Sequence, residues 1–194
     1  RYRAAVAALQ RAGADGSKDF SLRVEWIEVL ERAAEDEIDM QRRSDYHRSA
    51  EIAARSLADD YLDDPEKSAS MQRIFAGALF RNGKYSEAAD RMLQSVQSHG
   101  AMSPNSWAVL LKVAAQAKRM REIRQLQDQA MELGRKYPDL LAGLAKVYIL
   151  AGSRWNNEAL SVLQVLHQWH PTYRVGDKVV AGFDRRHFGS DPVA

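Results

Sequence analysis

The residues most suggestive of chemistry lie at positions 82–86, in the stretch NGKYS. A glycine followed by a lysine can cradle phosphate in the P-loop pattern G-x-x-x-x-G-K-[ST], where a hydroxyl after the lysine holds the metal ion. Here five residues rather than four separate Gly77 from Gly83, and Tyr85 follows Lys84. The flanking residues do not resemble the strand that a P-loop follows. The spacing therefore argues against nucleotide binding and leaves a turn between two helices as the interpretation.

Two further clusters could bind metal. His167 and His170 stand three positions apart, a spacing that can place two imidazoles on one helix face. No third ligand accompanies them, and the end of a helix favours protonated histidine in any case. A run of five carboxylates between positions 59 and 66 lacks the Asp-x-Asp-x-Asp-Gly pattern of a calcium loop. We interpret both clusters as solvated helix ends.

No other constellation predicts catalysis. The chain shows no serine elbow, no catalytic triad and no dinucleotide fingerprint, and its paired carboxylates fall only on charged helix faces. It contains no cysteine, which excludes disulfides, thiolate zinc sites and a cysteine nucleophile. We therefore expect a protein that is not an enzyme and that needs no cofactor or metal.

Composition bounds the remaining possibilities. The 194 residues suffice for one domain or one run of repeats, and 45% hydrophobic with 28% charged residues is typical of a globular protein. A net charge of +2 does not by itself imply nucleic-acid binding. No apolar run approaches the ~18 residues of a membrane span. Because the chain begins with Arg1 rather than methionine, we expect a fragment or a processed form.

The spacing of apolar residues predicts helices throughout. Between positions 46 and 62 these residues recur at intervals of three and four, which places them on one helix face. The same interval recurs near positions 88–96, 123–133 and 159–166. Strand-like alternation is essentially missing, so the sequence predicts an all-α fold of about ten short helices.

Turn signals divide these helices at a regular period. Ser103 and Pro104 are typical of a helix N-cap followed by proline in the first turn, and Gly83 and Gly152 are placed where a helix could end. Intervals of 34 and 33 residues separate Pro104, Pro138 and Pro171. Two helices repeated at this period predict a helical solenoid, in which stacked pairs share one core.

These residues resemble the tetratricopeptide repeat family. Its pattern combines large and small apolar residues in a first helix, Gly-x-Tyr at the corner, a small alanine in the second helix and a closing proline. One unit matches with Phe75, Ala76, Leu79, Gly83, Tyr85, Ala88 and Met92. A later unit matches with Leu144, Ala145, Tyr148, Gly152, Ala159, Leu163 and Pro171, with Trp155 in place of the corner tyrosine. The unit between them departs from the pattern, with Lys118, Met120 and Ile123 at the glycine, tyrosine and alanine positions.

The resemblance implies a right-handed superhelix of antiparallel helix pairs. The expected units are 1–16 (a partial repeat), 19–66 (a long degenerate repeat), then 69–102, 103–137 and 138–171. Residues 172–194 are expected to form a capping helix, over 173–188, and a tail. Within the long unit we expect helices over 20–37 and 46–62, joined by a lengthened, charged connection. A chain that begins inside a repeat would expose an apolar face, so self-association is also expected.

The resemblance further implies a scaffold that binds partner proteins in a concave groove lined by the first helix of each unit. The groove-facing candidates are Arg73, Phe80, Arg81, Asn105, Lys112, Gln116, Asp139 and Lys146. Lys112 and Lys146 lie 34 residues apart, so stacking should align them in a basic stripe. The expected ligand is an extended acidic segment or an anionic polymer. Gly77 stands where the family's carboxylate clamp has asparagine, which argues against a chaperone adaptor.

Alternative functions differ in partner and location. Similarity to bacterial envelope scaffolds, including those of exopolysaccharide export, favours the periplasm, and a cytosolic assembly or chaperone-adaptor module is the alternative. A helical-repeat RNA reader shares the general plan but not the period or code positions. We expect neither nucleic-acid binding nor a membrane span.

Overall fold

The computed structural model describes residues 2–99 and 103–174. Over these residues the regular structure is entirely helical and contains no strand, which confirms the expected all-α class. The chain divides after Met102 into two compact units. Unit 1 contains α1 (Tyr2–Arg11), α2 (Phe20–Asp36), α3 (Met40–Asp60), α4 (Pro65–Arg81) and α5 (Tyr85–His99). Unit 2 contains α6 (Pro104–Gln116), α7 (Met120–Gln125), α8 (Gln127–Gly134), α9 (Pro138–Leu150) and α10 (Asn156–Trp169).

In unit 1 each helix packs against the next along the chain. The expected lengthened connection between positions 37 and 46 is wrong, because α3 already begins at Met40. The Asp39 side chain accepts a hydrogen bond from the Arg42 backbone N–H at 2.8 Å and so caps the helix. The first turns of α3 are exposed to solvent and consist of polar residues. In the sequence, this polar stretch therefore resembles a loop.

The corner between α4 and α5 has the geometry expected of a glycine turn. Gly83 takes a left-handed conformation with φ of 74°. Its N–H donates to the Phe80 carbonyl, and the Lys84 N–H donates to the Leu79 carbonyl, both at 3.0 Å. These two bonds form a Schellman motif, which satisfies carbonyls that the helix end leaves open. Beyond the corner Ala88 is fully buried. Tyr85 remains 39% exposed, and its ring contacts Phe80.

Lys118 reproduces this corner between α6 and α7 without a glycine. Its φ is 58°, and the N–H groups of Lys118 and Arg119 donate to the carbonyls of Ala115 and Ala114. At the start of α6, Ser103 caps the helix by accepting from the Ser106 N–H, as the sequence predicts. Both hydrogen bonds at each corner join backbone atoms and therefore do not depend on the identity of the side chains.

The second helix of this pair is interrupted. The sequence pattern treats Ile123, Leu126 and Ala130 as one helical face, but the helix ends at Gln125 and α8 begins at Gln127. Leu126 stands at the break with φ of −94° and ψ of 0°. Beyond the break the buried Gln127 side chain accepts a 2.9 Å hydrogen bond from the Tyr148 hydroxyl of α9.

The end of α10 is attached to the corner between α8 and α9. The imidazole Nε2 of His170 lies 3.0 Å from the Gly134 carbonyl oxygen. The guanidinium of Arg135 lies 4.8 Å from the ring centre of Trp169, and the Tyr173 hydroxyl donates a hydrogen bond to Asp139. The expected capping helix over 173–188 begins at residues that are not helical and otherwise lies outside the described residues.

Candidate binding groove between α6 and α9

A groove of about 820 Å³ runs between α6 and α9 in unit 2. Both helices begin with proline in the first turn and pack against each other. The lining residues of α6 recur at one-turn intervals: Pro104, Asn105, Ala108, Leu111, Lys112, Ala115 and Gln116. Those contributed by α9 and the residue before it are Tyr137, Asp139, Leu140, Gly143, Lys146, Val147 and Leu150. The groove therefore lies along one face of each helix.

The floor of the groove is apolar and its rim is polar. Leu111, Leu140 and Val147 are buried at its base. Gly143 leaves space at this base. A Cβ there would occupy that space and lie 3.6 Å from the Leu111 Cδ1, an ordinary contact distance. Leu150, at one end, is 71% exposed. Such a mixture of apolar base and polar edge is typical of sites that bind side chains of a ligand.

Charge is distributed unevenly along the groove. Lys112 and Lys146 are exposed on its two walls. Asp139 lies in the first turn of α9, about 10 Å from Lys146 along the helix axis, as the helical rise dictates for seven residues. Its carboxylate accepts the Tyr173 hydroxyl, and burial with this hydrogen bond raises the pKa of Tyr173 to about 12.

The groove candidates that the sequence suggested in unit 2 thus line one groove. The candidates in unit 1 do not line this groove and contact other parts of unit 1. Arg73 is half-buried on α4. The Phe80 ring contacts the Tyr85 ring in a tilted arrangement, with a centroid distance of 5.2 Å. Arg81 donates to Glu31 of α2 at 2.6 Å, and Glu31 is half-buried. Arg81 is thus engaged within its own unit.

Arg81 also borders a titratable side chain. Burial raises the pKa of Glu31, and the ion pair with Arg81 only partly offsets that effect. Burial also lowers the pKa of His47, and the positive charges of Arg81 and Arg43 lower it further. The Nδ1 atom of His47 is buried and has no hydrogen-bond partner among the described residues. This cluster joins α2, α3 and α4.

The other chemical candidates have structural partners. Lys84 of the Gly-Lys pair donates to Glu51 at 2.6 Å, and Glu51 is buried. His170 bonds the Gly134 carbonyl, as described above, while His167 is exposed. Among the side chains that the structure describes, no three His, Asp or Glu residues are grouped as metal ligands.

Sequence reasoning missed nine of the fourteen residues that line the groove. Leu140, Gly143, Val147 and Leu150 share a face of α9 with Asp139 and Lys146 and could have been found from their spacing of three and four. Tyr173 carried no such signal. Its contact with Asp139 depends on a turn after α10, and a chain reversal of this kind leaves no periodic pattern.

No protein-family model, curated protein or solved structure matches this chain. None of the helices in the described part of the chain is both long and apolar enough to cross a bilayer.

Proposed function

We propose that this protein is a helical-repeat scaffold of the tetratricopeptide type, and that it binds an extended acidic segment of a partner protein between α6 and α9 without catalysing a reaction. The observation that carries this proposal is the groove itself. It combines a buried apolar base with lysines on both walls. An extended segment can direct apolar side chains to the base and carboxylates to the rim, because successive side chains point to opposite sides.

The size of the groove supports a peptide ligand. Its volume of about 820 Å³ falls within the range of cavities that bind small ligands or a few side chains. Leu150, at one end of the groove, offers exposed apolar surface whose removal from water favours binding by about 25 cal/mol per Å².

The charges support an acidic ligand over a neutral one. Lys146 forms no ion pair with a described residue, and Lys112 lies on the opposite wall. Carboxylates between them would gain attraction from both sides. Such exposed charges mainly accelerate association and are screened by salt, with a Debye length of about 8 Å at physiological ionic strength.

The proposal can be tested with a short fluorescein-labelled peptide of alternating glutamate and leucine. Fluorescence anisotropy should show binding that weakens as salt is added. Replacing Lys112 and Lys146 together with glutamate should weaken binding at least about tenfold, because each reversal replaces an attraction of about 1 kcal/mol with a repulsion. The control is the double variant Arg42→Glu and Arg48→Glu, which reverses two exposed cations of α3.

Two results would contradict the proposal. Equal losses in the groove variant and the control would indicate an effect of net charge alone. Heparin that binds wild type and groove variant equally, while the peptide fails to bind, would indicate a polyanion surface elsewhere on the protein. A peptide that binds wild type and control but not the groove variant would support the assignment.

A further inference from the structure

The hydrogen bond between Tyr173 and Asp139 lies at the edge of the groove, although Tyr173 does not line it. Asp139 is the one carboxylate among the lining residues. A free carboxylate there would repel an acidic segment and attract a basic one. The interactions that fix the position of the Asp139 carboxylate therefore affect which ligands the groove binds.

Two features of the protein hold the Asp139 carboxylate. It lies in the first turn of α9, where the partial positive charge of the helix N-terminus stabilises an anion. The phenol of Tyr173 donates to one of its oxygens. A hydrogen bond to a charged acceptor is shorter and stronger than one between neutral groups, so it fixes the direction of the carboxylate.

The tyrosine is itself held in place. Tyr173 lies three residues after His170, whose ring bonds the Gly134 carbonyl. The Tyr173 backbone N–H donates to the His170 carbonyl at 2.9 Å. Next to His170, the Trp169 ring lies over Arg135. The phenol thus reaches Asp139 from a segment that is attached to the α8–α9 corner.

We propose that Tyr173 is a specificity-determining residue of the groove, because its hydrogen bond holds the Asp139 carboxylate at the rim and withholds that charge from a bound segment. The inference rests on the proposed function of the groove and defines its charge preference. While Tyr173 holds Asp139, the positive charges of Lys112 and Lys146 dominate the electrostatic potential at the bound ligand. With Asp139 released, the carboxylate can turn into the groove and oppose an acidic ligand.

The test is a double-mutant cycle with Tyr173→Phe and Asp139→Asn, using the labelled glutamate–leucine peptide and a matched lysine–leucine peptide. Tyr173→Phe should weaken binding of the acidic peptide about threefold to fivefold, the change that one like charge about 5 Å away produces in water. It should strengthen binding of the basic peptide by a similar factor. In the Asp139→Asn background the same substitution should change neither affinity.

Absorbance titration of the tyrosines gives a readout that needs no peptide. Burial is the largest cause of the raised pKa of Tyr173 and remains in Asp139→Asn, but loss of the charged acceptor should still lower that pKa below about 12. Thermal melts of each variant check that the fold is retained.

The outcomes separate the two proposals. If neither peptide binds wild type, the proposed function fails and this inference fails with it. If the acidic peptide binds wild type, but Tyr173→Phe changes both peptides equally or not at all, the inference alone is overturned. An equal loss in the wild-type and Asp139→Asn backgrounds would likewise assign Tyr173 a purely structural role.

Discussion

Replacing Lys118 with glycine should stabilise the protein. Lys118 occupies the left-handed region with φ of 58°, which a residue with a Cβ adopts at a cost, whereas Gly83 adopts it freely at the equivalent corner of unit 1. The two corners share the same pair of backbone hydrogen bonds. The Lys118 side chain is exposed and forms no ion pair with a described residue, so its removal should break no contact that the structure shows.

The expected gain follows from two opposing terms. Relief of the left-handed conformation is worth about 1–2 kcal/mol. Glycine also makes the unfolded chain more flexible, which costs about 0.5–1 kcal/mol. The difference is a gain of about 0.5–1 kcal/mol, or about 1–4 °C in melting temperature for a chain of this length.

Urea denaturation followed by circular dichroism would measure this gain. Lys118→Ala is the control, since it removes the same side chain but keeps the Cβ. Gly83→Lys is the reciprocal change, and it should destabilise by about 1 kcal/mol. Because a Cβ at Gly83 would meet no atom within 4 Å, its effect should come from the backbone alone. Equal stability of the glycine and alanine variants at position 118 would refute the reasoning.

Three other predictions concern the cores and pH. Ala88→Leu should destabilise by about 1–3 kcal/mol in a thermal melt, because Ala88 is fully buried and the added carbons have no space. Gly134→Ala should destabilise, since its Cβ would lie 2.5 Å from Leu141, whereas Gly143→Ala should stabilise by up to about 1 kcal/mol, as helical alanine replaces glycine without a clash. The same melts would compare the two. Because the pKa of His47 is lowered in the folded protein, His47 binds a proton on unfolding when the pH is below 6.5, the ordinary pKa of histidine. The free energy of unfolding should therefore fall as pH decreases from about 6.5, and His47→Gln should reduce this slope in pH-dependent denaturation.

Local signals in the sequence predicted the helices well. The cap at Ser103 and the turn at Gly83 depend on the chemistry of single residues, and the structure confirms both. Apolar spacing likewise placed Ala88 and Met92 on one helix face, and both are buried. The start of α3 was missed because its first turns face solvent and carry no apolar stripe. The superhelical arrangement stays a prediction, since it concerns relations between helices that lie far apart in the sequence.

In the candidate groove, too, local sequence signals predicted some features, and contacts between distant elements determined the others. Asn105, Lys112, Gln116 and Lys146 line one groove because they lie on the facing sides of two helices, which a repeat of 34 residues anticipates. The register could not predict that Arg81 bonds Glu31, because that contact depends on how α4 meets α2. The position of Tyr173 likewise follows from tertiary contacts alone.

The attachment of α10 also determines how this part of the protein opens. Helix ends usually fray, and their amides exchange with solvent before those of the core. The end of α10, however, is held by the His170, Trp169 and Tyr173 contacts to the α8–α9 corner. Release of its final turn therefore requires that corner to loosen as well. Amide exchange at the end of α10 and at the start of α9 should consequently be coupled, so that the rim of the groove and the end of α10 open as one cooperative segment.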